Sequence, residues 1–156
     1  MKKKYIFIVL FCLLLVFIDQ LSKYLIINIL GNGVFVIIKN FLKFMYIKNT
    51  GAALGIFSGN LVILIIATLI LLVYIIKEVK KNVNNKWILI TYLLILGGAI
   101  GNLIDRIFRG YVVDFISFTL FKKEMAIFNL ADTFITIGVI ILIILLFKKE
   151  DGLWKK

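Results

Sequence analysis

Residues 61–76 read LVILIIATLILLVYII, an uncharged run long enough to form most of a membrane-crossing helix. The whole chain has 156 residues, of which 63% are apolar, and it contains no proline. An ordinary soluble domain is about 45–50% apolar, and a chain this short cannot hide the excess in its core. The sequence therefore predicts a small integral membrane protein.

Four segments reach the length of roughly 20 residues that crosses about 30 Å of hydrocarbon. We predict spans at about residues 5–27, 56–76, 87–107 and 128–147, within a single domain that covers 1–156. All four spans must be helical, because lipid offers no hydrogen-bond partners to free backbone amides.

The distribution of basic residues predicts the orientation of these spans. Of the 19 lysines and arginines, eleven lie at the N-terminus, in the loop after the second span and at the C-terminus, and eight lie on the opposite side. The positive-inside rule therefore predicts that both termini are cytoplasmic. Lysine clusters between apolar runs are typical of membrane proteins, whereas a nucleic-acid-binding face would spread its charge over a soluble surface. We expect no nucleic-acid partner.

The two loops on the outer side differ in composition. Residues 28–55 are rich in β-branched and aromatic side chains, which favour short strands over helix. We predict a small sheet there, against the outer membrane surface. Residues 108–127 combine phenylalanines and a leucine with Lys122 and Lys123, a pattern that indicates an interfacial segment.

The composition excludes several kinds of site. The chain has no histidine, and its one cysteine, Cys12, cannot form an internal disulfide. A zinc site and a Ser-His-Asp triad are therefore excluded, and we expect neither a metal nor a cofactor. An alternative reading makes Cys12 the lipidation site of a lipoprotein signal peptide, but Phe11 before it is not small and the apolar run continues to Ile18.

Four aspartates lie at the outer ends of the predicted spans or just beyond them: Asp19, Asp105, Asp114 and Asp132. Ionisable residues at membrane spans are costly, and they are functional candidates by default. Asp114 has the weakest structural explanation. It stands between Val113 and Phe115, where burial of a lone carboxylate would cost several kcal/mol.

Two of the other aspartates are explained by local ion pairs. Asp19 and Lys23 are i,i+4 neighbours near the end of the first span. Asp105 precedes Arg109 by four residues, which predicts a salt bridge that anchors the end of the third span. A structural role is the simpler explanation for both aspartates.

Two further patterns lie at the starts and ends of helices. Asn129 and Asp132 have the spacing of an N-cap residue and an acidic residue in the first turn of the fourth span. Gly97 and Gly101 form a small-xxx-small pattern that brings membrane helices close together. On the same helix, a stripe at i,i+4 spacing forms either a packing surface or the wall of a polar site: Gly98, Asn102 and Arg106.

Asp114 and Asp132 come from different segments at one membrane face, where they could form a carboxylate pair. Two carboxylates in one desolvated site cannot both ionise cheaply, so that one of them keeps its proton. The ionised partner is then a general base for a water that attacks an amide carbonyl, and the protonated partner donates to the carbonyl oxygen. The composition favours an aspartic peptidase over other hydrolases.

The chain resembles the bacterial lipoprotein signal peptidases (signal peptidase II) from the first span to the fourth. Five blocks in order carry the resemblance: DQLSK (19–23), NTGAALG (49–55), GGAIGNLIDR (97–106), GYVVDF (110–115) and FNLAD (128–132). The resemblance implies a four-helix membrane bundle with a small extracytoplasmic β-cradle, classed as an all-α membrane protein. It also implies a monomeric endopeptidase of the cytoplasmic membrane without a cofactor.

The implied substrates are prolipoproteins in the membrane lipid, cleaved before a cysteine that carries a diacylglyceryl group. By the same resemblance, Asp114 and Asp132 match the catalytic aspartates, and Asp19 and Lys23 match a supporting pair. The remaining matches are residues that line the site or hold the substrate backbone: Asn49, Gly51, Asn102, Arg106 and Asn129.

Two other classes of protein remain as alternatives. A small transporter or proton pathway would also place acids in its spans, but near the middle of the bilayer. A structural subunit would use the aspartates only as helix caps and in salt bridges.

Overall fold

A computed structural model describes residues 2–51, 59–121 and 123–150, with the side chains of 149 and 150 left out. It contains four long helices: α1 (Lys2–Leu25), α2 (Leu61–Lys81), α3 (Lys86–Arg109) and α4 (Leu130–Glu150). A π-helical turn at Ile26–Leu30 extends α1. All four helices are long and apolar enough to cross a membrane. The helix predicted at 56–76 begins at Leu61, and residues 52–58 lie outside the described part.

Helix α3 lies at the centre of the bundle and packs against the other three helices. Two thirds of its apolar segment is buried, compared with less than a quarter in α1, α2 and α4. Gly97 of α3 faces Leu15 of α1, and Gly101 faces Asp19 of the same helix. The predicted small-residue contact is confirmed, because both glycines let α1 approach α3 closely.

A four-stranded antiparallel sheet joins the helices at one end. Its strands follow chain order: β1 (Val34–Ile38), β2 (Leu42–Asn49), β3 (Val112–Leu120) and β4 (Lys123–Phe128). The strands predicted in the first outer loop are confirmed as β1 and β2. The termini of the described chain and the turn between α2 and α3 lie at the opposite end of the bundle.

The second outer loop contains strands that were not predicted. Residues 112–120 and 123–128 form β3 and β4 and continue the sheet. The four helices and the small sheet agree with the predicted class, but half of the sheet comes from this second loop. The sequence hides β3 because Val112–Phe115 is buried throughout, and a strand covered on both faces lacks the alternation of a half-exposed strand.

Candidate active site

Asp114 and Asp132 both line one cavity between the sheet and the helices. Asp114 is on β3, opposite Ile47 of β2, and Asp132 is in the first turn of α4. The cavity has a volume of about 820 Å³. Its walls combine polar residues from α3 with mostly apolar residues from β4 and α4, among them Asn102, Arg106, Ala126, Ile127, Phe128, Ile135 and Ile137.

Three asparagines hydrogen-bond to the two carboxylates, and two of them, Asn129 and Asn102, connect one acid to the other. Asn49 Nδ2 donates to Asp114 Oδ2 and Asn129 Nδ2 to Asp114 Oδ1, both at 2.7 Å. Asn102 Nδ2 donates to Asp132 Oδ1, also at 2.7 Å. Asn129 Nδ2 also lies 3.2 Å from Asn102 Oδ1, which completes a chain of amides between the two acids.

The orientation of each amide is fixed at its oxygen. Asn49 Oδ1 accepts from the backbone N–H of Gly51 at 2.9 Å, and Asn129 Oδ1 accepts from that of Asp132 at 2.9 Å. Asn102 Oδ1 accepts from Lys23 Nζ at 3.1 Å. Since each oxygen is held by an N–H, each NH₂ group faces a carboxylate.

Helix α4 begins at this site with the predicted cap. Asn129 caps the helix by accepting from the N–H of Asp132, and the Asp132 carboxylate accepts from the N–H of Asn129 at 3.3 Å. This reciprocal pair is a capping box, with an aspartate in place of the usual glutamate. The capping explanation is therefore confirmed, and the same two side chains also line or contact the cavity.

A buried ionic cluster lies behind the asparagines. Lys23 Nζ contacts Asp19 at 2.8 Å and Asp105 at 3.0 Å, and all three side chains are fully buried. Asp105 also pairs with Arg109. Both predicted ion pairs are confirmed, but they belong to one network rather than to two separate helix ends.

This network ties the first helix to the sheet and to α4. Asp19 Oδ1 accepts from the N–H of Ala131 at 2.9 Å, and Asp105 Oδ2 accepts from that of Val113 at 3.0 Å. Each acceptor therefore fixes the residue next to one of the two cavity aspartates. The positions of Asp114 and Asp132 depend on the ionic cluster through the backbone.

Gln20 also belongs to this network, although its residue type alone does not predict a site residue. Its Nε2 lies 3.0 Å from Asp105 Oδ1, and its Oε1 accepts from Arg109 at 2.9 Å. The sequence signal for Gln20 is its place beside Asp19 within a membrane span, where an uncharged polar side chain needs hydrogen-bond partners.

Arg106 lines the cavity and reaches the segment after β2. Its Nη2 lies 3.3 Å from the carbonyl oxygen of Gly51. The block 49–55 continues from there into residues outside the described part. All nine residues named from the sequence thus lie in the cavity wall or in the network that contacts it: Asp19, Lys23, Asn49, Gly51, Asn102, Arg106, Asp114, Asn129 and Asp132.

The electrostatics distinguish Asp114. Burial raises the pKa of this carboxyl to about 6, and the charge of Asp132 acts in the same direction. The hydrogen bonds from Asn49 and Asn129 act against this shift, because they stabilise the ionised form. Asp114 therefore holds a proton up to a higher pH than an ordinary aspartate, beside a second acid that could exchange a proton in general acid–base chemistry.

The chain matches known proteins of one family over most of its length. The family model described as Signal peptidase (SPase) II matches residues 11–148. A protein named lipoprotein signal peptidase from Staphylococcus aureus is 40% identical over 97% of this chain and 96% of its own. One of the same name from Caldanaerobacter subterraneus subsp. tengcongensis is 43% identical over 81% of this chain and 86% of its own.

Solved structures give the same result for the fold. A structure titled as a bacterial membrane enzyme at 2.3 Å resolution superimposes with a TM-score of 0.85 and 36% identity. The match covers 96% of this chain and 92% of the solved chain. A second structure, titled as a bacterial membrane enzyme at 1.9 Å, has a TM-score of 0.79 over 90% of this chain and 92% of its own. This chain belongs to the signal peptidase II family of membrane proteases.

Proposed function

We propose that this protein is an aspartic endopeptidase that removes the signal peptide of prolipoproteins, using Asp114 and Asp132 as its catalytic pair. The observation that carries the proposal is that both carboxylates line one cavity and both hydrogen-bond to Asn129. The cut falls before the cysteine that carries a diacylglyceryl group.

The proposed mechanism shares one proton between the two acids. Asp132, as the ionised partner, takes a proton from a water, whose oxygen then attacks the scissile carbonyl carbon. Asp114, as the protonated partner, donates a hydrogen bond to the carbonyl oxygen of the resulting tetrahedral intermediate. When the C–N bond breaks, the pair delivers a proton to the leaving amine and returns to its starting state.

The charges around the site support a single shared proton. Among its buried and half-buried groups, four aspartates face three cations, Lys23, Arg106 and Arg109. Lys48 also lines the cavity but is exposed to solvent, which screens its charge. With every group ionised the site would carry one net negative charge, and uptake of one proton makes it neutral. A buried net charge is costly, which favours the singly protonated pair.

The cavity walls suit a substrate anchored in lipid. Ile127 and Phe128 of β4 and Ile135 of α4 provide apolar walls, whereas Asn102 and Arg106 provide donors for peptide carbonyls. A lipidated cysteine would keep its acyl chains in the bilayer while its peptide bond lies beside the aspartates. We propose that the sheet and this site are extracytoplasmic, that both termini are cytoplasmic and that the enzyme is a monomer.

The test replaces each aspartate by its amide. Asp114→Asn and Asp132→Asn are expected to reduce the cleavage of a diacylglyceryl-modified prolipoprotein by about 10²–10⁴-fold, the usual contribution of a general acid or base. Glu124→Gln is the matched control, because Glu124 is on β4, is exposed and pairs with Lys43 away from the cavity lining.

Folding is checked by thermal unfolding in detergent, and the same prolipoprotein without its lipid tests the substrate requirement. Turnover of the unlipidated form at the lipidated rate would refute the substrate class. Full activity of either asparagine variant would refute the proposed mechanism.

A further inference from the structure

Lys23 lies outside the lining of the cavity, yet it contacts a residue that reaches the pair. Its Nζ donates to Asn102 Oδ1 at 3.1 Å, and Asn102 Nδ2 donates to Asp132 Oδ1 at 2.7 Å. An ammonium group can only donate, so that the side of Asn102 facing Lys23 must be its oxygen. Asn129 Nδ2 donates to the same oxygen at 3.2 Å. With both donors on Oδ1, the NH₂ group of Asn102 is directed at Asp132.

The ammonium group of Lys23 is itself held in one position. It has three N–H donors, and three acceptors surround it: Asp19 at 2.8 Å, Asp105 at 3.0 Å and Asn102. Its side chain is fully buried, and the two carboxylates that neutralise it are fully buried as well. A group with all of its donors occupied and no exposed surface has no freedom to release Asn102.

Local ion pairing explains the contact with Asp19 but not the contact with Asn102. Asp19 and Asp105 already neutralise Lys23, and Asp105 has a second cation in Arg109. The third donor is directed at a neutral amide that reaches the cavity. A side chain kept only for helix packing would not need this contact.

We propose that Lys23 is a positioning residue that, together with Asn129, sets the orientation of the Asn102 amide and thereby presents an N–H donor to Asp132. With the amide reversed, its oxygen would face Asp132, and two acceptors would oppose each other. Asp132 would then turn away or take up the shared proton, and the proposed base would be lost. This inference rests on the proposed function of Asp132.

The test must remove the ammonium group without leaving two buried carboxylates unbalanced. The double variant Asp19→Asn/Lys23→Met does so, because Asp105 retains Arg109 as its counter-ion and the amide oxygen introduced at position 19 can still accept from the N–H of Ala131. The reference is Asp19→Asn alone. We expect the double variant to lower kcat about 10²-fold, with KM changed less than about twofold, because a misplaced catalytic group mainly affects the chemical step.

A double-mutant cycle separates positioning from a general effect on structure. Asn102→Ala is combined with Lys23→Met, both in the Asp19→Asn background. If Lys23 acts through Asn102, the loss of kcat in the combined variant equals that of Asn102→Ala, since the intermediary is already absent. Losses that multiply instead would overturn the inference.

Further outcomes complete the test. Unfolding temperatures in detergent show which variants fold, and only folded variants enter the cycle. The single Lys23→Met variant is not needed, because every variant of the cycle carries Asp19→Asn. Unchanged kcat in Asp19→Asn/Lys23→Met refutes the positioning role while Asp114→Asn and Asp132→Asn remain inactive, which leaves the proposed function intact. Activity in those asparagine variants refutes both.

Discussion

At the scale of single residues, the choice of asparagine at three positions has a physical reason. Asn49, Asn102 and Asn129 each accept an N–H at the oxygen and donate to a carboxylate from the nitrogen. A lysine in their place would neutralise the acid, and an aspartate would repel it. A neutral amide holds two carboxylates in place and lets the pair exchange a proton.

The sequence predicted these residues unevenly. Asp114 stood out because no helix end or neighbouring cation explained it, and the local pairs Asp19–Lys23 and Asp105–Arg109 followed from i,i+4 spacing. The contact between Lys23 and Asp105 was not predictable in this way, because it depends on how α1 packs against α3. The spacing of residues along the sequence predicts ion pairs within one helix. Ion pairs between helices can be predicted only when the packing of the helices is known.

The pH dependence follows from the pKa of about 6 at Asp114. In the free enzyme, the proton of the working pair is lost as the pH rises through this value. We therefore expect kcat/KM to fall about tenfold for each pH unit above about 6, as measured between about pH 5 and 8. Asn49→Ala removes a hydrogen bond that lowers this pKa. The pH at which kcat/KM of this variant begins to fall should therefore be higher than in the wild type. Equal kcat/KM at about pH 6 and about pH 8 would contradict the prediction.

Two substitutions at Asn129 separate its structural role from its proposed catalytic role. Serine still offers an acceptor to the N–H of Asp132 but has no NH₂ group for Asp114. We expect Asn129→Ser to unfold near the wild-type temperature and Asn129→Ala to lose about 1 kcal/mol of stability with the cap. Both should lose most of the peptidase activity. A fully active serine variant would show that the contact with Asp114 is dispensable.

At the scale of elements, the helices were easier to predict than the sheet. A run such as Leu61–Ile76 has one physical solution in lipid, and the structure places α2 over it. Helix α2 nevertheless continues to Lys81, because lysines at a helix end can reach the interface while the helix persists. Strand β3 has no comparable signal, since its first four residues are all buried and its partner β2 comes from a different loop.

The contact between α3 and α4 fixes the position of Asp132. A Cβ atom added at Gly98 would lie 2.4 Å from the carbonyl oxygen of Ala131, so that the first turn of α4 must move. At Gly97 it would instead meet the Leu15 side chain of α1 at 2.7 Å. We expect both alanine variants to lose about 1–3 kcal/mol of stability.

Peptidase activity distinguishes the two glycines. Gly98→Ala should lower kcat at least about tenfold more than Gly97→Ala, because only the former displaces the residue next to Asp132. The unfolding temperature of each variant in detergent measures how much stability the added methyl group costs. Equal kcat in two variants of equal stability would show that the start of α4 tolerates the displacement.

At the scale of the whole molecule, chain connectivity and charge give related information. Four consecutive helices place the sheet at one end of the bundle and the described termini with the α2–α3 turn at the other. The end with the turn carries most of the basic residues, which predicts that it faces the cytoplasm. Connectivity alone does not say which end is outside, so the orientation depends on this charge difference.

Labelling of single cysteines tests the orientation. Cys12 is the only cysteine in the sequence, so Cys12→Ala gives a background without thiols. Phe121, at the β3–β4 turn, is 98% exposed, and Lys80 is exposed near the end of α2. In intact cells, a membrane-impermeant maleimide should label Phe121→Cys and not Lys80→Cys. After lysis both should react, which shows that each thiol is accessible. Labelling of Lys80→Cys alone in intact cells would reverse the orientation and place the proposed site in the cytoplasm.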